Sequence, residues 1–139
     1  MTEKELSQCH WLNIEIGKLQ GELRELEGKE YKEINYSGMP HGSGVSDNVG
    51  RLAAQRAELH ELISLKIKEC MIERTRIERF IDTIEDSEMR TIVRLRCINY
   101  LSWGEIAAEM IVLDDDGEVV KEQDRRTITR KFQKYLRNR

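Results

Sequence analysis

The sequence predicts an all-α protein that is built from a long N-terminal antiparallel helical hairpin, coiled-coil-like in character, and three shorter C-terminal helices. Charged residues make up 35% of the 139 residues and there is a single proline, which is typical of long solvated helices rather than a sheet. Apolar residues recur at intervals of three and four through the first part of the chain. The last fifteen residues contain seven Lys or Arg and no acid, which marks a separate basic segment.

The first predicted helix covers Thr2 to Ile34. Its apolar residues are spaced 3, 4, 3, 4, 3 and form the heptad stripe of a helix that packs along another: Cys9, Leu12, Ile16, Leu19, Leu23 and Leu26. Three glycines and one proline within residues 35–48 end this helix. Ser46 or Asp47 is then predicted to cap the next helix.

The second predicted helix runs from Val49 to Glu85. Its apolar residues lie on one side: Leu52, Leu59, Ile63, Ile67, Cys70, Ile77, Ile81 and Ile84. Neither long helix can bury its stripe alone, so an antiparallel hairpin is the simplest arrangement. We therefore expect residues 1–86 to form a helical arm that self-associates into a homodimer or a higher homo-oligomer.

Residues 87–139 are predicted to form a second domain of short helices. Ser87 is expected to cap the first of them, and Ser102 with Glu105 has the spacing of a capping box for the second. Apolar residues on both sides of an Asp116-Gly117 turn indicate a short β-hairpin at 111–121. Asp124 is expected to cap the final helix, with its carboxylate at the positive helix end.

The final helix is predicted to have two distinct faces. Its apolar face carries Ile128, Phe132, Tyr135 and Leu136. The opposite face carries Arg126, Arg130, Gln133 and Arg137, at spacings of 4, 3 and 4. Such a helix suits the DNA major groove, where Arg can pair with guanine and Gln with adenine. The flanking cations, which could meet phosphates, are Lys131, Lys134 and Arg139.

Composition argues against several other classes. The three cysteines are far apart and favour apolar packing over a disulfide framework, and the three histidines have no metal-ligand spacing. No serine lies in a nucleophile motif. From these patterns together we expect no enzyme activity, no metal and no cofactor. No apolar run is long enough to span a bilayer, and the polar N-terminus is unlike a signal peptide. A cytoplasmic protein with no membrane partner is expected.

Charge is unevenly distributed along the chain. The formal net charge is −3, but residues 1–86 carry 12 Lys or Arg against 17 Asp or Glu, while residues 87–139 carry 11 against 9. The acids of the second part gather in LDDDGEVVKEQD, which leaves the final helix strongly basic. Because local charge decides whether phosphate is attracted, the acidic isoelectric point does not exclude DNA binding.

Two segments, RTIVRLRCINYLSWGEIAAEM and DRRTITRKFQKYL, resemble region four of bacterial sigma factors and its phage relatives. In that pattern an arginine-rich helix end leads into LSWxEIA and then into a recognition helix of the RRTVxRxxxxxL kind. The corresponding residues here are Leu101, Ser102, Trp103, Glu105, Ile106, Ala107, Arg125, Arg126, Thr127, Ile128 and Arg130. The upstream loop SGMPHGSGVSDNVGRL and the long helix after it are similar to phage proteins related to the ArpU-type and RinA-type late-gene transcriptional regulators.

The resemblance implies a sigma region-four-like helix-turn-helix in residues 87–139, double-stranded DNA as partner, contact with RNA polymerase, and the cytoplasm of a bacterial host cell. The chain departs from the compact pattern because about a dozen residues separate Met110 from Asp124. How this acidic insert packs decides whether Arg126 and Arg130 can reach a groove.

The leading functional hypothesis is a sequence-specific DNA-binding transcriptional regulator that dimerises through its arm. Arg126, Arg130 and Gln133 would read bases, while Arg125, Thr127, Lys134 and Arg137 would hold the backbone. The candidate DNA-binding residues are Arg125, Arg126, Thr127, Thr129, Arg130, Gln133, Lys134 and Arg137. Two alternatives stay open: a small terminase or packaging adaptor that forms a ring, and a structural coiled-coil protein that binds a partner and no DNA.

Overall fold

The computed structural model describes the backbone of residues 1–37 and 45–139 and the side chains of residues 1–34 and 48–139. Its helices are α1 (Glu3–Leu6), α2 (Gln8–Ser37), α3 (Val45–Asp82), α4 (Ser87–Cys97), α5 (Trp103–Glu109) and α6 (Arg125–Arg137). A small antiparallel sheet of β1 (Val112–Leu113) and β2 (Val119–Lys121) lies between α5 and α6 in the chain. The described residues are therefore mostly helical, and the β-hairpin expected at 111–121 is confirmed.

Local capping decides where the short helices begin. Thr2 and Glu5 form a capping box at α1, and Ser7 ends that helix, so the single helix predicted from Thr2 is wrong there. At this break the Ser7 hydroxyl donates to the Lys4 carbonyl at 2.9 Å. At α4 the cap is Asp86, whose carboxylate accepts from the Glu88 N–H at 3.0 Å, and not Ser87, which is the first helical residue.

The start of α3 also differs from the prediction. The helix begins at Val45, so Ser46 and Asp47 belong to its first turn and neither is the residue before the helix. Most of the glycine-rich loop, residues 38–44, lies outside the described residues. The helix ends at Asp82, three residues before the predicted end, where Ile84 N–H donates to the Ile81 carbonyl in a tighter turn.

By its contacts, the chain divides into two compact units. We call Trp11–Cys70 the hairpin unit, and Met1–His10 together with Met71–Arg139 the C-terminal unit. The first ten residues thus pack with the C-terminal helices, which no local sequence pattern indicated. The sequence analysis divided the chain at residue 86 into a self-associating arm and a DNA-binding domain. That functional division stays a prediction.

In the hairpin unit, α2 and α3 run antiparallel. Arg56 Nε lies 3.1 Å from a carboxylate oxygen of Glu30, and Lys66 Nζ lies 3.5 Å from a carboxylate oxygen of Glu15. Residue numbers therefore rise along α3 as those of their partners fall along α2. This arrangement agrees with the predicted hairpin. The buried apolar residues here are Leu12, Ile16, Leu52, Ile63 and Cys70.

Two members of the predicted α3 stripe are not in the core, since Leu59 is only half-buried and Ile67 is exposed. Ile67 is 40% exposed, whereas Ile63 and Cys70 are buried. The helical position between these two is taken by Lys66, whose side chain is only 25% exposed and pairs with Glu15. The face that meets α2 therefore passes through residue 66, and Ile67 is turned toward solvent.

In the C-terminal unit, apolar residues from every helix meet in one core. The fully buried side chains are Leu6, Cys9, Ile77, Ile81, Ile84, Ile92, Val93, Ile106, Ile128 and Phe132. The N-terminal segment is fastened by an ion pair of 2.9 Å between Glu5 and Arg76, and by the Tyr100 hydroxyl, which donates to Cys9 Sγ at 2.9 Å. Cys9, Cys70 and Cys97 are all buried, as predicted for packing residues. Burial raises the pKa of the Cys97 thiol to about 12.

Candidate nucleic-acid interface

Asp124 caps the basic helix α6, as predicted. One carboxylate oxygen of Asp124 accepts from the Thr127 N–H at 2.7 Å and satisfies a donor that the helix leaves open. The Thr127 hydrogen bonds, with a smaller effect of nearby Arg126 and Arg130, hold the pKa of the Asp124 carboxyl below its usual range. Asp124 therefore stays ionised at the positive end of the helix dipole and stabilises this helix start.

The apolar face of α6 anchors the helix. Ile128 and Phe132 are almost completely buried, and α6 packs on both α4 and α5. The Phe132 ring meets the Trp103 ring edge-on, with centroids 5.1 Å apart and an interplanar angle of 61°. On the same indole, the Arg96 guanidinium lies 4.8 Å from the ring centroid. Burial of the Phe132 ring contributes to this anchoring, since it removes a large apolar area from water.

The opposite face of α6 is open to solvent. Arg126, Arg130, Gln133 and Arg137 are all exposed. Among the side chains that the structure describes, no carboxylate lies within ion-pairing distance of these three arginines. The structure therefore places the base-reading candidates on one exposed basic face of α6, while their role in binding remains a prediction.

The remaining members of the predicted set differ in exposure. Arg125, Thr127 and Lys134 are exposed, so each could reach a ligand beside α6. Thr129 is half-buried, and its hydroxyl donates to the Arg125 carbonyl one turn earlier at 2.8 Å. This hydroxyl is already engaged within the helix, which makes Thr129 the least accessible of the eight candidate residues.

Two cations that were expected to flank the interface bind within the protein instead. Lys131 Nζ lies 2.8 Å from Glu88. Arg139 donates to the hydroxyl and to the carbonyl of Thr83, each at 3.0 Å, and its guanidinium lies 5.0 Å from the Phe80 ring centroid. Both side chains therefore fasten α6 to its neighbours, because a carboxylate, a carbonyl and an aromatic face are available at close range.

Glu88 connects α4 with the segment around α6, and the sequence analysis missed it. Its carboxylate accepts from Lys131 at 2.8 Å, from Gln123 Nε2 at 2.6 Å and from Lys121 Nζ at 3.2 Å. These hydrogen bonds, that of Lys131 foremost, lower the Glu88 pKa to about 2. The three donors lie 33 to 43 residues away along the chain, so no local pattern could have revealed them.

The insert between α5 and α6 forms the β-hairpin and does not separate the two helices, which pack directly on each other. Every residue from Ile111 to Glu122 is exposed. The turn is fixed by Asp114, whose carboxylate accepts from the backbone N–H groups of Asp116 and Glu118 at 3.0 and 2.8 Å. Gly117 has a φ of +81°, a conformation that glycine adopts at little cost.

Comparison of the chain with protein-family models, with curated proteins and with solved structures gives no match. In the described part of the chain, no helix is both long and apolar enough to cross a membrane. The same residues contain no cluster of three or more His, Cys, Asp or Glu side chains placed to hold a metal ion.

Proposed function

We propose that this protein is a sequence-specific DNA-binding transcriptional regulator of the phage late-gene type, in which α6 reads double-stranded DNA. The observation that carries the proposal is the two-sided construction of α6. Buried Ile128 and Phe132 hold one face, while the opposite face presents Arg126, Arg130 and Gln133 without a paired carboxylate. A rigid helix with a solvated arginine face is what a reader of base edges needs.

In the proposed mechanism, α6 lies in the major groove as the second helix of a helix-turn-helix whose first helix is α5. Arg126 and Arg130 donate to guanine O6 and N7, and Gln133 pairs with adenine. Arg125, Thr127, Lys134 and Arg137 contact phosphates and set the register of the helix on the duplex. The resemblance to sigma region four adds binding near a promoter and contact with RNA polymerase to this proposal.

Self-association through the hairpin unit would present two copies of α6 to one DNA site. Three large apolar side chains of that unit support such an assembly because they are exposed by 40 to 56%: Leu62, Leu65 and Ile67. In a two-fold dimer the half-sites would be separated by about one helical turn of DNA, roughly 34 Å, or by a multiple of it. The expected target is therefore a pseudo-palindrome.

Selection of bound sequences from random double-stranded DNA tests both parts of the proposal. A regulator of this type should enrich one motif, and a dimer should enrich it as two inverted half-sites. Enrichment of a single half-site would contradict the dimer but not the reading helix. Failure to enrich any sequence would contradict sequence-specific reading by α6.

The same exposed apolar residues of the hairpin unit also support a larger assembly, and with it the alternative of a phage packaging adaptor. A mass measurement in solution separates the two functions. A dimer supports the regulator, whereas a closed ring of about eight or more copies supports packaging, since cyclic symmetry closes heterologous interfaces.

A further inference from the structure

The β-hairpin at 111–121 has the largest group of neighbouring exposed apolar side chains in the described C-terminal unit. Their exposed fractions range from 38 to 64%: Ile111, Val112, Leu113, Val119 and Val120. Single exposed apolar residues are ordinary, but these five lie within ten positions of chain, four of them on the two paired strands, so apolar side chains line both faces of the hairpin. The polar α6 surface, which the proposed function uses, includes none of them.

The hairpin is fastened in place and is not a loose loop. At its tip, Asp114 N–H donates to the Glu118 carbonyl at 2.9 Å, and the Asp114 carboxylate accepts two backbone N–H groups. At its base, Lys121 and Gln123 both donate to Glu88 of α4, at 3.2 and 2.6 Å. These contacts tie the hairpin to α4, so a partner would meet a segment that is already folded.

The hairpin also offers backbone groups for strand pairing. Its sheet has two strands, β1 and β2, so each strand has one edge that is not paired within the sheet. The register shifts between the Val112–Lys121 and Leu113–Val119 pairs, which makes the edges irregular but leaves them exposed. An extended segment of another chain can hydrogen-bond to such an edge and place alternate side chains against the apolar residues.

The charges of the hairpin identify the partner. Five exposed acids lie within or beside it: Asp114, Asp115, Asp116, Glu118 and Glu122. The one cation in this segment, Lys121, is already paired with Glu88. This surface repels nucleic-acid phosphates and attracts a segment that carries Lys or Arg.

A second copy of the chain fits this surface poorly. Antiparallel pairing of two β2 strands centred on Val120 would place Glu118 of one copy opposite Glu122 of the other. Like charges directly opposite each other destabilise a strand pair, and the acidic tips would add to the repulsion. In this register a second hairpin supplies no positive charge to the acidic surface, whereas a segment that carries Lys or Arg does.

We infer that the β-hairpin is a docking site for a basic, extended segment of another protein, which adds a strand at a hairpin edge and contacts the exposed apolar side chains. The site is independent of DNA binding by α6, because it uses different residues and the opposite charge. It gives this chain a second interaction surface, for a protein rather than for DNA.

A peptide that alternates lysine with valine is a direct probe, and an analogue that alternates glutamate with valine is its control. In a titration followed by amide chemical shifts of the isotope-labelled full chain, the lysine peptide should bind saturably with a Kd below about 1 mM. The amides that move should lie in residues 111–121. The glutamate peptide should bind at least about tenfold more weakly.

Matched variants separate the surface from general apolar exposure. Leu113→Thr with Val119→Thr keeps good strand-forming residues but removes apolar area, and should weaken peptide binding about fivefold or more. Asp115→Asn with Asp116→Asn should weaken it further at low salt. The control, Met71→Thr with Ile72→Thr, alters apolar residues that are 64 and 67% exposed elsewhere in the same unit and should have no effect.

Several results would overturn the inference. Equal binding of the two peptides would show that charge does not determine binding. Chemical-shift changes confined to residues outside 111–121 would show that the peptide does not bind to the hairpin. Concentration-dependent self-association that the Leu113→Thr, Val119→Thr variant abolishes would show that a second copy occupies the surface. Loss of DNA affinity in the same variant, with peptide binding absent, would show that the hairpin serves DNA instead.

Discussion

Replacing Glu88 by glutamine tests how α4 holds the hairpin and α6. In the wild-type protein the Glu88 carboxylate lies 2.8 Å from Lys131, 3.2 Å from Lys121 and 2.6 Å from Gln123. Glutamine has nearly the same shape but carries no charge, so the packing of α4 should be preserved. The variant therefore removes the two ion pairs without leaving a cavity.

The size of the effect follows from the depressed pKa of this carboxyl. The difference between 4.5 and about 2 corresponds to at most about 3.4 kcal/mol, at about 1.36 kcal/mol per pKa unit. Solvent reduces this value because the side chains of Lys131 and Lys121 are 39 and 50% exposed and that of Glu88 is 27% exposed. We expect Glu88→Gln to lower the free energy of unfolding by about 1 to 2 kcal/mol at neutral pH.

The lowered pKa of Glu88 also predicts how the stability difference between the two proteins changes with pH. A carboxyl whose pKa is lowered by folding stabilises the protein above its unfolded-state pKa, and this contribution disappears as the pH falls toward the folded-state value. The difference in unfolding free energy between wild type and Glu88→Gln should therefore be complete above about pH 5 and shrink toward pH 2. Urea denaturation at several pH values, followed by circular dichroism, measures it.

Glu109→Gln is the matched control, because Glu109 is exposed on α5 and forms no ion pair with any side chain that the structure describes. It should change the unfolding free energy by less than about 0.5 kcal/mol. Hydrogen exchange should also quicken at the hairpin amides of Glu88→Gln. Unchanged stability at neutral pH, or a deficit that persists undiminished at pH 2, would refute the role assigned to Glu88.

Two further predictions concern the helices themselves. Ser102→Ala should lower the unfolding free energy by about 1 kcal/mol in urea denaturation, because Ser102 and Glu105 form the capping box of α5; no loss would show that this cap is dispensable. Gly17→Ala should raise the thermal midpoint by stabilising α2 by up to about 1 kcal/mol, since an added Cβ meets no atom within 4 Å. A fall in both the midpoint and the oligomer mass would instead show that another copy covers the Gly17 face.

Local signals in the sequence predicted the parts of the fold that depend on neighbouring residues. Ser102 with Glu105, Asp124 before α6, and the turn at Gly117 are specified within four residues, and all three were predicted correctly. The helical spacing of Ile128 and Phe132 likewise predicted the buried face of α6. Such features can be predicted from the sequence because the donors and acceptors involved are close together in the chain.

Long-range contacts explain what the sequence could not predict. Tyr100 contacts Cys9 across 91 positions, so the packing of the first ten residues with the C-terminal helices left no periodic trace. Lys131 was predicted to contact phosphate. Its actual partner, Glu88, lies 43 residues away, so the local sequence gave no sign of the ion pair. Ile67 and Lys66 are both compatible with a heptad, and the sequence alone did not show that Lys66 faces Glu15 on α2.

The most direct test of the central claim is the DNA affinity of a variant that lacks Arg126 and Arg130. Fluorescence anisotropy with a selected DNA site should show salt-dependent binding by the wild type, and Arg126→Ala with Arg130→Ala should weaken it by about 2 to 6 kcal/mol. Lysine at both positions should retain non-specific affinity but lose discrimination between selected and scrambled DNA, because lysine cannot pair bidentately with guanine.

Arg24→Ala with Arg51→Ala, which removes the same charge from exposed positions of the hairpin unit, is the control and should bind the selected site like wild type. DNA reading by α6 predicts loss of specific binding only for the α6 variants. Specific binding that is unchanged when Arg126 and Arg130 are alanine, or the absence of any salt-dependent DNA affinity in the wild-type protein, would contradict it.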